Sequence, residues 1–238
     1  SPYVATVDPL PLRLPAHLLS GAAVKAEYRT GMPPEPLKRA VEELLAAQRP
    51  ERILIVSFPE NRSFEGRTIR ELAAEQKKTP AEVCLALLRT EAAPVAAFFE
   101  TNDKVIRALM PFAWVFTASD AVPSFSGDAV VPPSHYGTFP RTIRKYAIED
   151  KIIRLSDAIR SMTSAPAEKF GLRGRGRLAV RNYADIAVID LKNFADLATY
   201  RDPQKPARGV VHLLVNGIVS IEGGKVTGHR GGRAIRRF

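Results

Sequence analysis

Apolar residues in the first half of the chain alternate between a helical and a strand-like spacing. Over residues 34–48 they recur every three or four positions, which predicts an amphipathic helix. Over residues 52–57 they form a short run rich in branched side chains, which is typical of a buried parallel strand. Further strands are predicted over residues 95–99 and 114–117, with a helix over residues 103–109 between them. This order favours parallel strands joined by crossover helices.

Helix starts are marked at two positions after the first predicted strand. Thr68 precedes Glu71, and Thr79 precedes Glu82, at the three-residue spacing of a capping box. In that motif the threonine side chain and the glutamate side chain each bind a backbone N–H at the helix start. Two short helices are therefore expected between the strands.

The second half of the chain changes from helix to strand. Helices are predicted over residues 141–146 and 151–162, and strands over residues 185–190, 209–215 and 217–221. An Asn-Gly pair separates the last two strands, which is the strongest short signal for a β-hairpin. We expect a small antiparallel unit at this end of the sequence.

Composition and charge place the chain among ordinary globular proteins with a basic second half. Of 238 residues, 45% are hydrophobic and 25% are charged, which excludes fibrous and disordered classes. The net charge is +10, and residues 139–238 carry 20 basic and 9 acidic side chains. Without a known nucleic-acid-binding pattern, we expect no nucleic-acid partner. An alternative function for the chain as a whole is that of a non-catalytic basic domain, which binds an acidic partner or nucleic acid through the basic side chains of residues 139–238.

The sequence also bears on location in the cell. It has no apolar stretch long enough for a membrane span, and its single cysteine, Cys84, cannot form an internal disulfide. We therefore expect a cytoplasmic protein without a membrane partner.

Short motifs along the chain carry a resemblance to a known family. In order they are GRTIRELAA at residues 66–74, Ser119-Asp120, YGTFPR at residues 136–141, Ala184-Asp185-Ile186 and Val215-Asn216-Gly217. In this order and spacing, the sequence resembles the C-terminal half of the N-acyl-D-amino-acid deacylases, the D-aminoacylase branch of the amidohydrolase superfamily.

The resemblance implies an α/β fold. Residues 1–174 would be the C-terminal part of a (β/α)8 TIM-type barrel with a helical insertion at about residues 10–50. Residues 175–238 would supply C-terminal strands of a small β-sandwich and a basic tail. Active sites of such barrels lie at the C-terminal ends of the strands, and Asp120 follows the predicted strand at residues 114–117.

The resemblance also implies a zinc-dependent amidohydrolase that cleaves an amide or cyclic amide C–N bond with metal-activated water. Asp120 matches the aspartate that acts as general base and then general acid, and it is a possible second contact of the metal. A carboxylate suits this role because it can hold one proton during the reaction. The alternative is that Asp120 caps the following loop.

The metal ligands that the resemblance implies are missing from this sequence. The family has a His-x-His pair and two later single histidines, whereas this chain has only His17, His135, His212 and His229. We therefore expect one or two zinc ions held mainly by a second polypeptide, which carries the N-terminal barrel strands and the metal-binding histidines. The alternative is a metal-free binding module that folds by itself.

Substrate recognition also departs from the family pattern. Relatives carry His-Pro-Arg, whose arginine clamps the substrate carboxylate, where this chain has Pro132, Pro133 and Ser134. We therefore expect a small-molecule amide without the usual D-amino-acid carboxylate. Tyr3, Ser134 and His135 are the predicted substrate-binding residues, and for His135 a solvent-facing loop position is the alternative.

Overall fold

The computed structural model describes residues 2–18, 31–121 and 131–235. Its contacts divide these residues into two compact units. The N-terminal unit consists of residues 4–18, 31–102 and 131–132, and the C-terminal unit consists of residues 2–3, 103–121 and 133–235. The predicted boundary between residues 174 and 175, which would separate a barrel portion from a sandwich portion, stays a prediction.

The sheet of the N-terminal unit has the strand order β1 (Thr6–Pro9), β3 (Val95–Phe98), β2 (Ile53–Ser57). Both pairs are antiparallel, with Thr6 and Ile53 each opposite Phe98. The prediction of parallel strands is therefore wrong here. Two helices instead of one connect β2 to β3, so the chain reverses direction once more than in a βαβ crossover.

Helices α1 (Glu35–Gln48), α2 (Ile69–Gln76) and α3 (Pro80–Leu88) belong to the same unit. Both predicted capping boxes are confirmed: the Thr68 hydroxyl accepts the Glu71 N–H at 3.2 Å, and the Glu71 carboxylate accepts the Thr68 N–H at 2.7 Å. Thr79 and Glu82 repeat these bonds. The apolar faces of the helices and sheet form one core, which includes Leu10, Leu37, Val41, Ile55, Leu72, Val83 and Phe98.

The helices of the C-terminal unit are α4 (Asp103–Leu109), α5 (Ser134–Arg141), a π-helix (Thr142–Glu149), α6 (Leu155–Met162) and α7 (Ser164–Lys169). The predicted strand over residues 114–117 is wrong: the segment is irregular. Its apolar pattern is that of a strand, but here the Thr117 N–H donates to the Ser161 carbonyl on α6 at 3.0 Å instead of to a neighbouring strand. The helix predicted at residue 141 begins earlier, at Ser134.

The second sheet has the order β4 (Ile186–Ile189), β5 (Val210–Val215), β6 (Ile218–Glu222), β7 (Lys225–Val226), with every pair antiparallel. The predicted hairpin is confirmed, because Asn216 and Gly217 join β5 to β6 with φ values of 50° and 81°. Such turns need positive φ at both central positions. The chain is thus a mixed α/β protein, and neither of the two sheets closes into a barrel within the described residues.

Among the described residues, no helix has both the length and the apolar character needed to cross a bilayer.

Candidate functional site

Asp120 lies just beyond a segment that α6 holds in place. The Thr117 and Ser161 hydroxyls are 2.9 Å apart, in addition to the backbone hydrogen bond between these residues. Three positions later, Asp120 is exposed and has a φ of 57°. Aspartate is one of the few residues that tolerate this left-handed backbone. Within the described ranges no hydrogen bond or ion pair involves the Asp120 carboxylate, and the loop from residue 122 that it would cap lies outside them.

Tyr3 is bound to the C-terminal unit through its hydroxyl. The Tyr3 hydroxyl donates to Asp196 Oδ2 at 3.1 Å, and Arg141 Nη1 donates to the same oxygen at 3.1 Å. The Arg141 guanidinium also lies over the Tyr3 ring, 4.9 Å from its centroid. Asp196 therefore joins a tyrosine and an arginine that are 138 positions apart in the sequence.

These contacts shift the pKa values of Tyr3 and Arg141. Burial and the neighbouring Asp196 charge raise the pKa of Tyr3, so its hydroxyl stays protonated and donates. Burial opposes the charged form of Arg141, but the Asp196 carboxylate outweighs it and raises the Arg141 pKa. The three side chains therefore form an ion pair with a neutral tyrosine as the second donor.

Gly137 of the YGTFPR motif makes room for this arrangement. A Cβ at position 137 would lie 2.0 Å from the Tyr3 hydroxyl and 3.0 Å from Asp196 Cβ. Both distances are shorter than carbon and oxygen atoms tolerate without a shift. A hydrogen atom is therefore the only side chain that lets Tyr3 and Asp196 meet against α5.

Tyr146 forms a second polar cluster beside the first. Its side chain is fully buried, and its hydroxyl donates to Asp103 Oδ1 at 2.6 Å and lies 3.4 Å from the Pro2 carbonyl oxygen. Asp103 also pairs with Arg107 and with Lys145. Burial disfavours the Asp103 carboxylate, but these hydrogen bonds outweigh it and lower its pKa to about 2.

Ser134 and His135 occupy the first turn of α5. Ser134 is buried and His135 is half-buried, so His135 lies at a helix start rather than in the solvent-facing loop that was its alternative position. Tyr3 lies against the next turn of the same helix, at Gly137. The structure thus brings three predicted site residues to one helix, while Asp120 has no direct bond to them. Their roles in substrate binding stay predictions.

The two arginines that follow on this side of the fold are already engaged. Arg141 pairs with Asp196. Arg144 donates to the carbonyl oxygens of Phe194 at 2.9 Å and Lys192 at 2.8 Å. Both guanidinium groups are thus engaged elsewhere in the described residues, although the buried Nε of Arg141 has no hydrogen-bond partner there.

A complete zinc site is not formed by this chain's described residues. Nowhere in residues 2–18, 31–121 and 131–235 do three or more His, Cys, Asp or Glu side chains come close enough to hold a metal ion. His212 lies within β5, and its Nδ1 accepts the Gly223 N–H at 3.4 Å, as expected of a structural histidine. The donor set therefore does not fit a resident metal on its own.

Sequence analysis missed Asp196, Asp103 and Tyr146. Each meets its partner across more than forty positions, so no local motif announces it. Tyr146 follows the YGTFPR segment by five residues, but nothing in the sequence indicates that its side chain is buried.

Comparisons with known proteins agree with the resemblance seen in the sequence. Residues 115–221 match the amidohydrolase family. The chain is 33% identical to the D-aminoacylase of Alcaligenes xylosoxydans xylosoxydans over 181 residues, which cover 76% of this chain and 35% of that protein. It is 27% identical to the N-acyl-D-aspartate deacylase of the same organism over 92% of this chain and 42% of that protein.

Solved structures give the same result. A D-aminoacylase with a binuclear metal centre matches 99% of this chain with a TM-score of 0.69 and 28% identity, over 42% of its own length. The N-acyl-D-glutamate deacylase of Bordetella bronchiseptica, solved with zinc and a phosphonate inhibitor, matches 73% of this chain with a TM-score of 0.60 and 26% identity. The chain spans less than half the length of these relatives.

Proposed function

We propose that this chain, an amidohydrolase-family polypeptide similar to the C-terminal half of D-aminoacylase, is part of a zinc-dependent enzyme that hydrolyses an amide C–N bond. The family match over residues 115–221 includes Asp120, Ser134 and His135 and supports the proposal. One or two zinc ions are inferred from the relatives, of which one has a binuclear centre and another was solved with zinc.

The observation that carries the proposal is the state of Asp120. Asp120 is exposed and lies directly after a segment anchored at Thr117. Within the described ranges, no hydrogen bond or ion pair involves its carboxylate. A carboxylate that its described neighbours do not engage is available to accept a proton.

Asp120 is proposed to move one proton. As water attacks the amide carbon, one water proton passes to the Asp120 carboxylate. When the C–N bond breaks, Asp120 returns that proton to the departing nitrogen, which leaves as an amine. The products are a carboxylic acid and an amine, and Asp120 ends in its starting state.

The metal ligands are proposed to come mainly from polypeptide outside these 238 residues. The described part of the chain lacks the required group of ligands, and its relatives are more than twice as long as the matched segments. A second polypeptide with the N-terminal barrel strands and the histidines would complete the site. Asp120 would then be this chain's main contribution to the chemistry.

The proposed substrate is a small amide or cyclic amide that lacks a free α-carboxylate. Ser134 is uncharged and buried, and the arginines at positions 141 and 144 are held by Asp196 and by backbone carbonyls. A carboxylate at this position would therefore meet no free guanidinium from α5 or the π-helix. Tyr3 and His135 are the proposed polar contacts of the neutral substrate.

The catalytic role is tested with Asp120→Asn in the zinc-loaded, natively purified assembly. Asn keeps the size of the side chain but cannot hold the proton, so we expect kcat to fall about 10²- to 10⁴-fold with an unchanged circular dichroism spectrum. Asp157→Asn is the matched control, because Asp157 is a surface aspartate paired with Arg154. A kcat within twofold of wild type for Asp120→Asn refutes the role.

The substrate class is tested with two amides that differ only by the carboxylate, N-acetyl-D-leucine and N-(3-methylbutyl)acetamide. We expect kcat/KM for the neutral amide to equal or exceed that for the acid. A clear preference for N-acetyl-D-leucine would show that the carboxylate is recognised by other groups, and would leave the role of Asp120 standing.

The proposed assembly is tested by native mass spectrometry with elemental analysis of the protein purified from its own cells. A second polypeptide and one or two zinc ions per pair are expected. A metal-free 238-residue monomer in that preparation contradicts the proposal.

A further inference from the structure

A pocket of about 430 Å³ lies in the C-terminal unit, lined by the segment around Arg173 and Arg175, by Tyr183, and by the tail at Arg233. Pockets of this size accommodate small organic ligands. No residue predicted for the amidohydrolase site lines it. It is therefore a separate feature of the molecule.

The lining of this pocket is cationic. It has three arginines, at positions 173, 175 and 233, and no acidic side chain. Arg175 is paired with Asp185. Arg173 and Arg233 are exposed, and neither forms an ion pair with any acidic group in the described ranges. Two positive charges thus line the pocket without an acidic partner among the residues that the structure describes.

The arrangement of the pocket is fixed by a hydrogen-bonded frame. Arg175 Nη2 donates to Asn216 Oδ1 at 2.6 Å, and the Arg175 guanidinium lies 4.1 Å from the centroid of the Tyr183 ring. Asn216 Nδ2 in turn donates to the Gly231 carbonyl at 2.7 Å, and the Asn216 N–H donates to Asp185 at 2.8 Å.

The same frame holds the tail that carries Arg233. A Cβ at Gly231 would lie 2.2 Å from the Val215 carbonyl oxygen, so the tail crosses the β5–β6 turn in direct contact. Arg233 follows two residues later. Arg173 and Arg233, sixty positions apart, are therefore held on the same pocket by one network rather than by chance proximity.

The chemistry of the walls selects the ligand. Guanidinium groups bind phosphate oxygens through paired, charge-assisted hydrogen bonds. The half-exposed Tyr183 ring and the side chains of Leu172 and Ile235 offer apolar surface beside the cations. We propose that this pocket binds a small organic phosphate, with the phosphate between Arg173 and Arg233 and the organic part against Tyr183.

The test is isothermal titration of the full chain with phenyl phosphate, in 0.15 M salt. Saturable one-site binding is expected, and it should weaken at least tenfold in Arg173→Gln and in Arg233→Gln. Arg177→Gln is the matched control, because Arg177 is exposed, lies outside the pocket lining and pairs with Glu168. Its affinity should equal that of wild type.

Four outcomes overturn the proposal. One is the absence of saturable binding, and another is equal affinity in wild type, Arg173→Gln and Arg233→Gln. The third is binding of a single-stranded RNA 20-mer with a steep salt dependence and no binding of phenyl phosphate, which would identify the basic face as a nucleic-acid surface. Benzoate in place of phenyl phosphate tests whether a carboxylate suffices, and benzoate affinity equal to that of phenyl phosphate also overturns the assignment to phosphate.

Discussion

Gly137→Ala is the substitution that most directly tests how Tyr3, Asp196 and α5 meet. The added methyl group would lie 2.0 Å from the Tyr3 hydroxyl and 3.1 Å from Tyr3 Cζ. To remove the overlap, the Tyr3 hydroxyl must move by more than 1 Å, roughly the shortfall from a normal contact. Such a movement breaks its 3.1 Å hydrogen bond to Asp196.

Two opposing effects set the magnitude. Loss of a hydrogen bond to a charged acceptor costs about 1.5–3 kcal/mol of unfolding free energy. Alanine in place of glycine within a helix raises the unfolding free energy by about 1 kcal/mol. The net expectation is that Gly137→Ala lowers the unfolding free energy by about 0.5–2 kcal/mol, although alanine is the better helix former.

The assay is urea unfolding followed by far-ultraviolet circular dichroism. Gly232→Ala is the matched control, because a Cβ there meets open space and its φ is not positive. Tyr3→Phe removes the atom that clashes, so Gly137→Ala made in that background should cost at least about 1 kcal/mol less than in wild type. A Gly137→Ala protein as stable as wild type, or more stable, would refute the close approach of Tyr3 to α5.

Three further predictions concern stability and reactivity. Because the pKa of Asp103 is lowered from 3.8 to about 2, its carboxylate contributes fully to stability above pH 4, and this contribution is lost as the pH falls from 4 to 2. Over that range the unfolding free energy of Asp103→Asn should therefore fall less steeply with pH than that of wild type. Parallel curves for the two proteins would contradict the lowered pKa. Burial raises the pKa of Cys84 to about 12, so iodoacetamide at pH 8 should modify this thiol only as fast as the protein opens. If the native chain were modified at the rate of a free thiol, Cys84 would not be buried. Thr79→Ala removes a cap from α3 and should cost about 1 kcal/mol in urea unfolding, whereas an unchanged midpoint would show that the cap contributes nothing.

Short-range chemistry made part of the fold predictable. Both capping boxes and the Asn216-Gly217 hairpin depend on residues at most three positions apart, and all three were confirmed. Strand direction was not predictable, because the apolar run at residues 53–57 looks the same whether its neighbour is parallel or antiparallel.

In the candidate site, too, the residues with a local sequence signal were predictable and those with only long-range contacts were not. Asp120 stood out because it follows an apolar run and belongs to a recognisable motif. Asp196 did not, because its partner Tyr3 is 193 positions away and nothing near either residue encodes the contact. The apolar pattern at residues 114–117 predicted a strand, and this was wrong because a strand also requires a neighbouring strand with which to pair.

The pairing of β1 with β3 has a consequence for the order of events during synthesis. Thr6 lies opposite Phe98, and the Leu10 N–H donates to the Pro94 carbonyl at 2.9 Å. At about 5–20 residues per second, the ribosome needs roughly 5–20 s between making β1 and making its partner. During this interval α2 and α3 are also synthesised, and their capping boxes favour the helical conformation at their starts. Leu10, fully buried in the folded core, must wait for β3 before it is covered.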